Sequence, residues 1–432
     1  MTKKTVLFLL LLSPIYNLRA QEQFSFFNLG DYVTQSQNVS AVYLPKNSFT
    51  LAIPTNAGLN LSAGFKINEL LVENTQTGKL FLDFDNLLNK ANIETPINID
   101  VNTTALSMTF KTRRGSISLF ANTKVKGDWQ YSQDFLKVAA NGIAESFQLK
   151  NDKLKITAYH EIGVGVTRKL LQDKLAIGLR LKYLNGILHA STANDASLKI
   201  DVDSNNLIWT VNSSNASLNT SGKKIIDQKE INNPFTGNIG FGLDFGVQYK
   251  ISENWNLELA VNDIGSINWK EDITNYNVQD LKDGVFDGVD LDNSNDITEE
   301  IENTLNDLIG TNETSTNFKS DLTIKSYLAT TYQSSKKNSF RAILFNNHAF
   351  GDFKPAYSLG YNRTLEKTTF GILASSGGYD NNLKIGGNFI VKLGPIQLYA
   401  ATDNLLEIFK KPEEMSNSSV HVGLNLVFGY HK

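Results

Sequence analysis

Two groups of side chains in this sequence are of types that can do chemistry, the histidines and an acidic run in the second half of the chain. The five histidines are His160, His189, His348, His421 and His431. None stands at the spacing of a metal-ligand motif, and no nucleophile elbow, phosphate-binding loop or dinucleotide fingerprint occurs. Nothing singles out a serine and histidine pair. We therefore predict no catalytic, cofactor-binding or metal-binding residue, no cofactor and no enzymatic activity.

The acidic run covers residues 271–313, which hold 13 acidic residues and a single base. Three of its acids stand at positions 1, 3 and 7 of a calcium-loop pattern, namely Asp290, Asp292 and Asp296. Position 6 holds Asn295 where such a loop needs glycine, and position 12 holds Ile301 where it needs a bidentate glutamate. The pattern favours a solvated acidic loop that leads into a short helix. Whether residues 290–302 bind Ca²⁺ is left open by the sequence.

The first residues have the composition of an export signal. Lys3 and Lys4 precede a short apolar run, and Ala20 offers a small residue at a cleavage site, so residues 1–20 are predicted to be a signal peptide. Its removal takes away three bases and changes the net charge from −3 to −6, with no basic excess for nucleic acid. The chain has no cysteine, which excludes disulfides and thiolate metal sites.

The elements that carry these side chains are predicted to be strands, because apolar residues recur with a period of two. Two extended pieces occur near 48–65, and a helix is predicted over 79–91. Further strands are predicted near 97–110, 117–126, 156–166, 175–187, 239–249, 257–262, 322–333, 339–346, 353–363, 368–376, 383–392, 396–402 and 420–430. Counting back from the C-terminus gives about fourteen strands.

Strand length and loop parity decide between two all-β architectures. The segments run to about 10–15 residues, whereas soluble strands usually have about 5–6. Short turns alternate with connections that are mostly long, as in a membrane barrel and unlike the alternative, a secreted soluble β-sandwich. We predict an all-β fold, a transmembrane antiparallel β-barrel over residues 47–432. Residues 21–46 form an N-terminal internal, plug-like segment, 270–320 an acidic extracellular loop, and short helices lie in the loops.

The alternation assigns side chains to the two faces of the barrel wall. The lumen set is Arg180, Lys182, Asp244 and Glu258, which we expect water to reach; the lipid set is Leu179, Leu181, Phe245 and Val247. Aromatic residues near strand ends are predicted to form membrane-interface belts, namely Tyr183, Tyr249, Trp255, Trp269 and Tyr430. Gly240, Gly242 and Gly246 on the inner face either leave room for the internal segment or permit strand curvature.

The last strand is predicted to close the barrel against the first one. Phe428 and Tyr430 lie on its apolar face, close to the end of the strand. Asn425 lies on the inner face, where we expect water or polar lumen groups to solvate a charge, so that Asn425→Asp is tolerated.

Several segments resemble FadL-like outer-membrane proteins, in the neighbourhood of PorV and of a Bacteroidota family of unknown function. They are Leu179–Ile187, Gly237–Tyr249, Val261–Trp269, Val285–Leu291, Ala401–Leu405 and Gly423–Gly429. The resemblance implies a fourteen-stranded barrel with an N-terminal plug that binds or passes small hydrophobic molecules. The alternative is a PorV-like structural or secretion-accessory barrel whose extracellular loops bind protein partners. The expected partners are membrane lipid and a small hydrophobic ligand or a protein. The resemblance also implies outer-membrane assembly machinery that reads the aromatic end of the last strand. A continuous lumen favours transport, and a sealed lumen with an exposed apolar loop patch favours partner binding.

The signal and the terminal strand generate a prediction about location. We expect the mature chain to begin at Gln21 and to remain with the detergent-extracted outer membrane, because a closed barrel with a lipid-facing surface is stable only there. N-terminal sequencing and membrane fractionation measure both. Recovery as a soluble periplasmic or secreted species would contradict the barrel.

Overall fold

The computed structural model describes most of the chain after the predicted signal peptide. The described residues are 23–53, 56–73, 80–91, 96–141, 145–150, 152–203, 209–224, 235–278, 311–351, 353–378, 380–411 and 414–430. The predicted signal peptide, the calcium-loop pattern at 290–302 and the helix predicted after it lie outside the described residues.

The described residues form 24 strands, of which half have nine residues or more, about the length that spans a bilayer. The strands are β1 Asn47–Ala52, β2 Asn56–Ser62, β3 Leu71–Glu73, β4 Leu80–Leu82, β5 Ile97–Thr112, β6 Gly115–Gln130, β7 Phe147–Leu149, β8 Lys153–Leu170, β9 Leu175–Thr192, β10 Ser197–Val202, β11 Trp209–Ser214, β12 Ser217–Ser221, β13 Ile239–Lys250, β14 Trp255–Trp269, β15 Ile273–Val278, β16 Thr311–Thr314, β17 Phe318–Asp321, β18 Lys325–Gln333, β19 Asn338–Asn347, β20 Pro355–Thr364, β21 Thr368–Gly377, β22 Asp380–Leu393, β23 Ile396–Thr402 and β24 Asn417–Tyr430.

The helices are short and lie in the N-terminal segment and the loops. They are α1 Phe24–Leu29, α2 Ile67–Leu70, α3 Phe84–Lys90, α4 Gln133–Asn141 and α5 Leu405–Ile408, with 3₁₀ turns at Gly30–Tyr32, Thr34–Asn38 and Ala349–Gly351. The helix predicted over 79–91 is α3, which begins five residues later because Asp83 caps it by accepting from the backbone N–H of Asn86. Within the described residues, no helix is both long and apolar enough to cross a membrane.

Fourteen antiparallel strands close into a barrel. β1 and β2 together make the first wall strand, and the order continues β5, β6, β8, β9, β13, β14, β18, β19, β20, β21, β22, β23 and β24. β24 pairs with β23 on one side and with β1 and β2 on the other, so the wall has no open edge. The predicted barrel is thus confirmed, and both ends of the wall, Asn47 and Tyr430, lie at the end with the short turns.

The two faces of the wall follow the predicted alternation. Arg180, Lys182, Asp244 and Glu258 point into the lumen, and each is at most 7% exposed. Leu181 and Leu179 point outward with exposures of 55% and 40%. Outward positions of this kind, apolar and exposed, continue around the barrel, as a wall in contact with lipid requires. The predicted assignment of faces is confirmed, but the lumen side chains are buried rather than in contact with water.

The interior is filled by the N-terminal segment, residues 23–46, which we call the plug. Of its described side chains, Phe24–Leu29 and Val33–Gln37 are buried within the barrel. This filling explains the burial of the charged lumen residues. It also overturns the expectation that water solvates Asn425, which has no exposed surface.

The aromatic residues near strand ends divide into two groups. Tyr183, Tyr249 and Trp255 are on the outer face and between 37% and 45% exposed. Trp269 was predicted to belong to the same belt, and this is wrong. It is fully buried, and its ring stacks on His189 at 5.0 Å between centroids.

The exposed apolar face generates a prediction. Leu181→Lys should lower the free energy of unfolding by about 2–4 kcal/mol, because the ammonium group enters hydrocarbon. Leu171→Lys is the matched control, since Leu171 stands in the turn between β8 and β9 and is 67% exposed; about 0–1 kcal/mol is expected there. Urea unfolding in lipid vesicles measures both. Equal effects would show that β9 does not face lipid at Leu181.

Candidate functional site

The plug begins with helix α1, which is apolar nearly all round. Phe24, Phe26, Phe27 and Leu29 are each at most 4% exposed. Gly30 ends the helix with φ 52° and ψ −136°, a conformation that favours glycine. A side chain at Gly30 would also meet the Arg341 guanidinium at 3.1 Å. The chain therefore turns sharply at Gly30 and continues toward the short-turn end.

The wall that faces α1 is apolar, which is unusual for the interior of a membrane barrel. Inward side chains of β14 and β18 to β23 form this apolar inner wall, namely Ala260, Tyr327, Ala329, Ile343, Phe345, Ala356, Leu373, Ile390, Tyr399 and Ala401. The Phe24 ring lies edge-on against the Phe345 ring, with 6.1 Å between ring centroids, and the Phe27 and Tyr327 ring centroids are 5.2 Å apart. α1 thus covers an apolar surface that would otherwise line the lumen.

Polar side chains of the wall bind the backbone of the plug. Arg180 donates to the carbonyl of Gln37 at 2.6 Å, and Asn262 donates to that of Val39 at 2.7 Å. Gln397 donates to the carbonyl of Tyr32 at 2.9 Å, and Arg341 donates to that of Phe27. These bonds satisfy carbonyls in a segment without regular secondary structure over much of its length.

Asn425 on the closing strand makes a reciprocal pair with the plug. It accepts from the Gln35 amide at 2.8 Å and donates to the Gln35 side-chain oxygen at 3.0 Å. It also donates to the Gln397 side-chain oxygen at 3.1 Å. An aspartate at this position would lose both donated bonds and set carboxylate oxygens against acceptors. The plug replaces the water assumed there, so the structure argues against the expectation that Asn425 tolerates a charge.

The long-loop end of the plug is fixed by Asp403. Its carboxylate accepts from the backbone N–H of Ser25 at 2.6 Å and from the Ser419 hydroxyl at 3.4 Å. Burial raises the pKa of Asp403 to about 6 despite these donors. A carboxyl group that holds its proton more tightly when folded stabilises the fold below its unfolded pKa. That stability is lost as the pH rises from about 4 to about 6.

Two glycines of the wall let the plug approach closely. A side chain at Gly178 would meet the Ala41 carbonyl oxygen at 2.1 Å, and one at Gly246 would meet Val42 at 3.0 Å. Gly246 thus leaves room for the internal segment, as one of the two interpretations predicted. Gly240 and Gly242 contact neighbouring strands instead.

The opposite side of the lumen carries a buried network of charges on β6, β8, β9, β13 and β14. Its members are Lys124, Lys126, Glu161, Arg180, Lys182, Asp244 and Asp263. The Lys182 ammonium lies 2.6 Å from both Asp244 and Asp263, and Arg180 lies 3.1 Å from Asp244. Each charged side chain of the network has a partner of opposite charge. A buried charge without such a partner would cost several kcal/mol.

Asp263 is the member that the alternating pattern missed. It adopts φ 62° at a β-bulge where Asn262 and Asp263 together oppose Asp244, so both point inward. The bulge lets Asp263 accept from three lysines of the network. The sequence does carry a signal for this bulge. The outward apolar residues are two positions apart as far as Val261, and the next one, Ile264, is three positions further on.

The space left at the short-turn mouth is polar. A cavity of about 320 Å³ lies between the plug and the wall, and its charged lining residues are Asp31, Lys46, Lys169, Asp173, Lys174, Lys250 and Arg341. Among the described residues, no group of histidine, aspartate and glutamate side chains is arranged to hold a metal ion.

Comparisons with known proteins concern the whole barrel. A family model described as a family of unknown function (DUF5723) matches residues 43–403. No curated protein matches the chain. The fold is similar to the toluene transporter TbuX of Ralstonia pickettii, with 9% identity, TM-score 0.41 and 89% of each chain covered. It is also similar to the toluene transporter TodX of Pseudomonas putida, with 11% identity, TM-score 0.41, and 96% of this chain and 98% of that chain covered. A FadL homologue of Pseudomonas aeruginosa matches with 10% identity, TM-score 0.35, and 89% and 90% coverage.

The charge network generates a prediction. Arg180→Met should lower the free energy of unfolding by about 3–5 kcal/mol, because Asp244 would lose one of its two buried cations and the Gln37 carbonyl would lose its donor. The control is Arg168→Met on neighbouring β8, where the side chain is exposed; a change within about 0.5 kcal/mol is expected. Urea unfolding followed by tryptophan fluorescence measures both. If the Arg180→Met chain is as stable as the control, the charge network does not contribute to the stability of the barrel through Arg180.

Proposed function

The chain belongs to the family of unknown function DUF5723, and we propose that it is an outer-membrane barrel that passes small hydrophobic molecules when its plug moves. The observation that carries the proposal is the apolar inner wall beneath α1. The lumen of a membrane barrel is usually polar, and an apolar inner wall could bind a hydrophobic molecule once α1 is displaced from it.

The size of the apolar contact explains why the lumen is closed at rest. Each buried phenylalanine, leucine or valine contributes about 1.5–3 kcal/mol. Phe24, Phe26, Phe27 and Leu29 together therefore hold the plug far more strongly than thermal fluctuation can overcome. A hydrophobic molecule that covers the same wall replaces part of that contact. The ligand thus favours the displaced state because it binds only there.

The attachment of the plug permits such a displacement. If the signal is removed after Ala20, as the sequence predicts, the plug is covalently joined to the wall only at Asn47. Its other bonds to the wall are hydrogen bonds and apolar contacts, such as those of Ser25 and Gln35. The charged network opposite lies within the wall strands themselves and stays in place when the plug moves.

A second candidate function is partner binding through the extracellular loops. It is favoured by the apolar surface at α5, where Leu406 is 66% exposed and Phe409 is 84% exposed. The filled lumen together with this exposed apolar surface is the combination expected to favour partner binding. If the loops bind a partner, Leu406→Asp with Phe409→Asp should abolish that binding. If the barrel passes hydrophobic molecules instead, the same double variant should leave their passage unchanged.

The transport proposal is tested by fixing the plug to the wall. The hydroxyl oxygens of Thr34 and Thr109 are 2.7 Å apart, so cysteines at both positions can form a disulfide in this naturally cysteine-free chain. We expect expressing cells to take up N-phenyl-1-naphthylamine faster than cells without the protein. Oxidation of the Thr34→Cys, Thr109→Cys chain should return uptake to background, and reduction should restore it.

The two single-cysteine chains under the same oxidant are the controls, and their uptake should not change. Uptake by the wild type that equals background would overturn the transport proposal. Equal uptake by the oxidised and reduced double variant would show that passage does not require the plug to move at Thr34.

A further inference from the structure

The outer face of the wall has a hollow near the short-turn end of β18 to β22. Its volume is about 460 Å³ and its lining is almost wholly apolar. Register explains its position, because one row of paired outward residues is small at three of its five places. That row reads Thr330, Ala342, Leu359, Ala374 and Ile385.

A row of large rings borders the hollow on the side of the short turns. Trp255 pairs with Tyr332, Tyr332 with Phe340, and Phe340 with Tyr361. The Trp255 and Tyr332 rings are 4.8 Å apart, and those of Phe340 and Tyr361 are 5.2 Å apart. Aromatic side chains of this kind mark the boundary between hydrocarbon and headgroups. The hollow therefore lies at the level of the first acyl carbons of the adjacent leaflet.

Cationic side chains stand directly beyond the aromatic row. Arg363 is exposed and follows Tyr361 by two residues on the same face of β20. Lys336 and Lys337 are exposed in the turn between β18 and β19, and the Lys337 carbonyl accepts from Thr364 at 2.8 Å. Within the described part of the chain, none of these three cations has a carboxylate within 4.0 Å.

We propose that this hollow and its cationic edge form a binding site for one anionic phospholipid of the periplasmic leaflet. The acyl chain fills the space left by Ala342 and Ala374, and the phosphate lies against Arg363 and the two lysines. Four residues of strand separate Arg363 from Leu359, about 13 Å of extended chain, which matches the span from a phosphate to the upper acyl carbons. The short turns face the periplasm in barrels of this kind.

Charge complementarity selects this occupant over others. A neutral lipid fills the hollow equally well but gains nothing from the three cations, whereas each cation favours an anionic headgroup roughly fivefold. A second copy of the chain would bring the same cations against themselves or against lipid-facing leucines. The site is independent of plug movement, so it stands whether or not the barrel transports.

The test uses Trp255, which borders the hollow, as the reporter. The full mature protein is reconstituted in dioleoylphosphatidylcholine vesicles that contain a small fraction of brominated phosphatidylglycerol or of brominated phosphatidylcholine. The Trp255 signal is the difference between wild type and Trp255→Phe. We expect several-fold stronger quenching by the brominated phosphatidylglycerol. Ala374→Phe, which fills the hollow, should reduce quenching by both lipids.

The charge variant is Lys336→Gln, Lys337→Gln, Arg363→Gln, and it should remove the preference for phosphatidylglycerol. The matched control is Arg113→Gln, Arg114→Gln, which removes cations from the turn between β5 and β6. There the outward residues above the turn are the large pair Phe110 and Ile117. This control should keep the preference.

Three results would overturn the site. Equal quenching by the two lipids in the wild type would show a hollow without headgroup selectivity. If the charge variant and its control lose the preference for phosphatidylglycerol equally, the preference comes from the general surface charge and not from this site. Quenching that falls as the protein-to-lipid ratio rises would show that a second copy covers the hollow. Heat-modifiable migration confirms that each variant has formed its barrel.

Discussion

The rest of the structure depends on the pairing of the last strand with the first. A backbone in hydrocarbon finds no water for its N–H and C=O groups, and each unpaired group costs several kcal/mol. β24 meets β1 and β2 on one side and β23 on the other, so that cost is avoided around the whole wall. Closure fixes the register, and the register fixes which side chains face lipid and which face the lumen.

Closure also creates an interior that must be filled or hydrated. In this chain the plug fills it, and the two sides of the lumen meet that segment with different chemistry. On the side of β18 to β23 the contact is apolar, between α1 and the inner wall. On the side of β6 to β14 the wall supplies its own paired charges, and Arg180 extends from that network to the Gln37 carbonyl. One side therefore binds the plug by burial, which a hydrophobic ligand can replace. The ion pairs on the other side join wall strands to one another and stay in place when the plug moves.

The register of the strands also determines the features of the outer face. The hollow is produced by one row of outward residues on five adjacent strands that is small at three of its five places. Toward the short turns this row is followed by aromatic and then by cationic side chains. The hollow on the outer face and the apolar wall on the inner face thus share strands β18 to β22, whose inward residues include Phe345 and Ile390.

The sequence by itself determined the class of fold, because a period of two over long segments, with short and long connections in turn, fits a closed barrel and little else. It also determined the faces of Arg180, Lys182, Asp244 and Glu258, since side chains of a strand alternate strictly. It could not reveal that these charges are buried or that Asn425 pairs with Gln35. Nor could it show that Trp269 points inward, and for Asp263 it carried only a change of spacing after Val261, without the lysines that Asp263 meets. Those features depend on contacts between residues far apart in the chain and on one bulge that shifts the alternation, and only the closed tertiary structure brings them together.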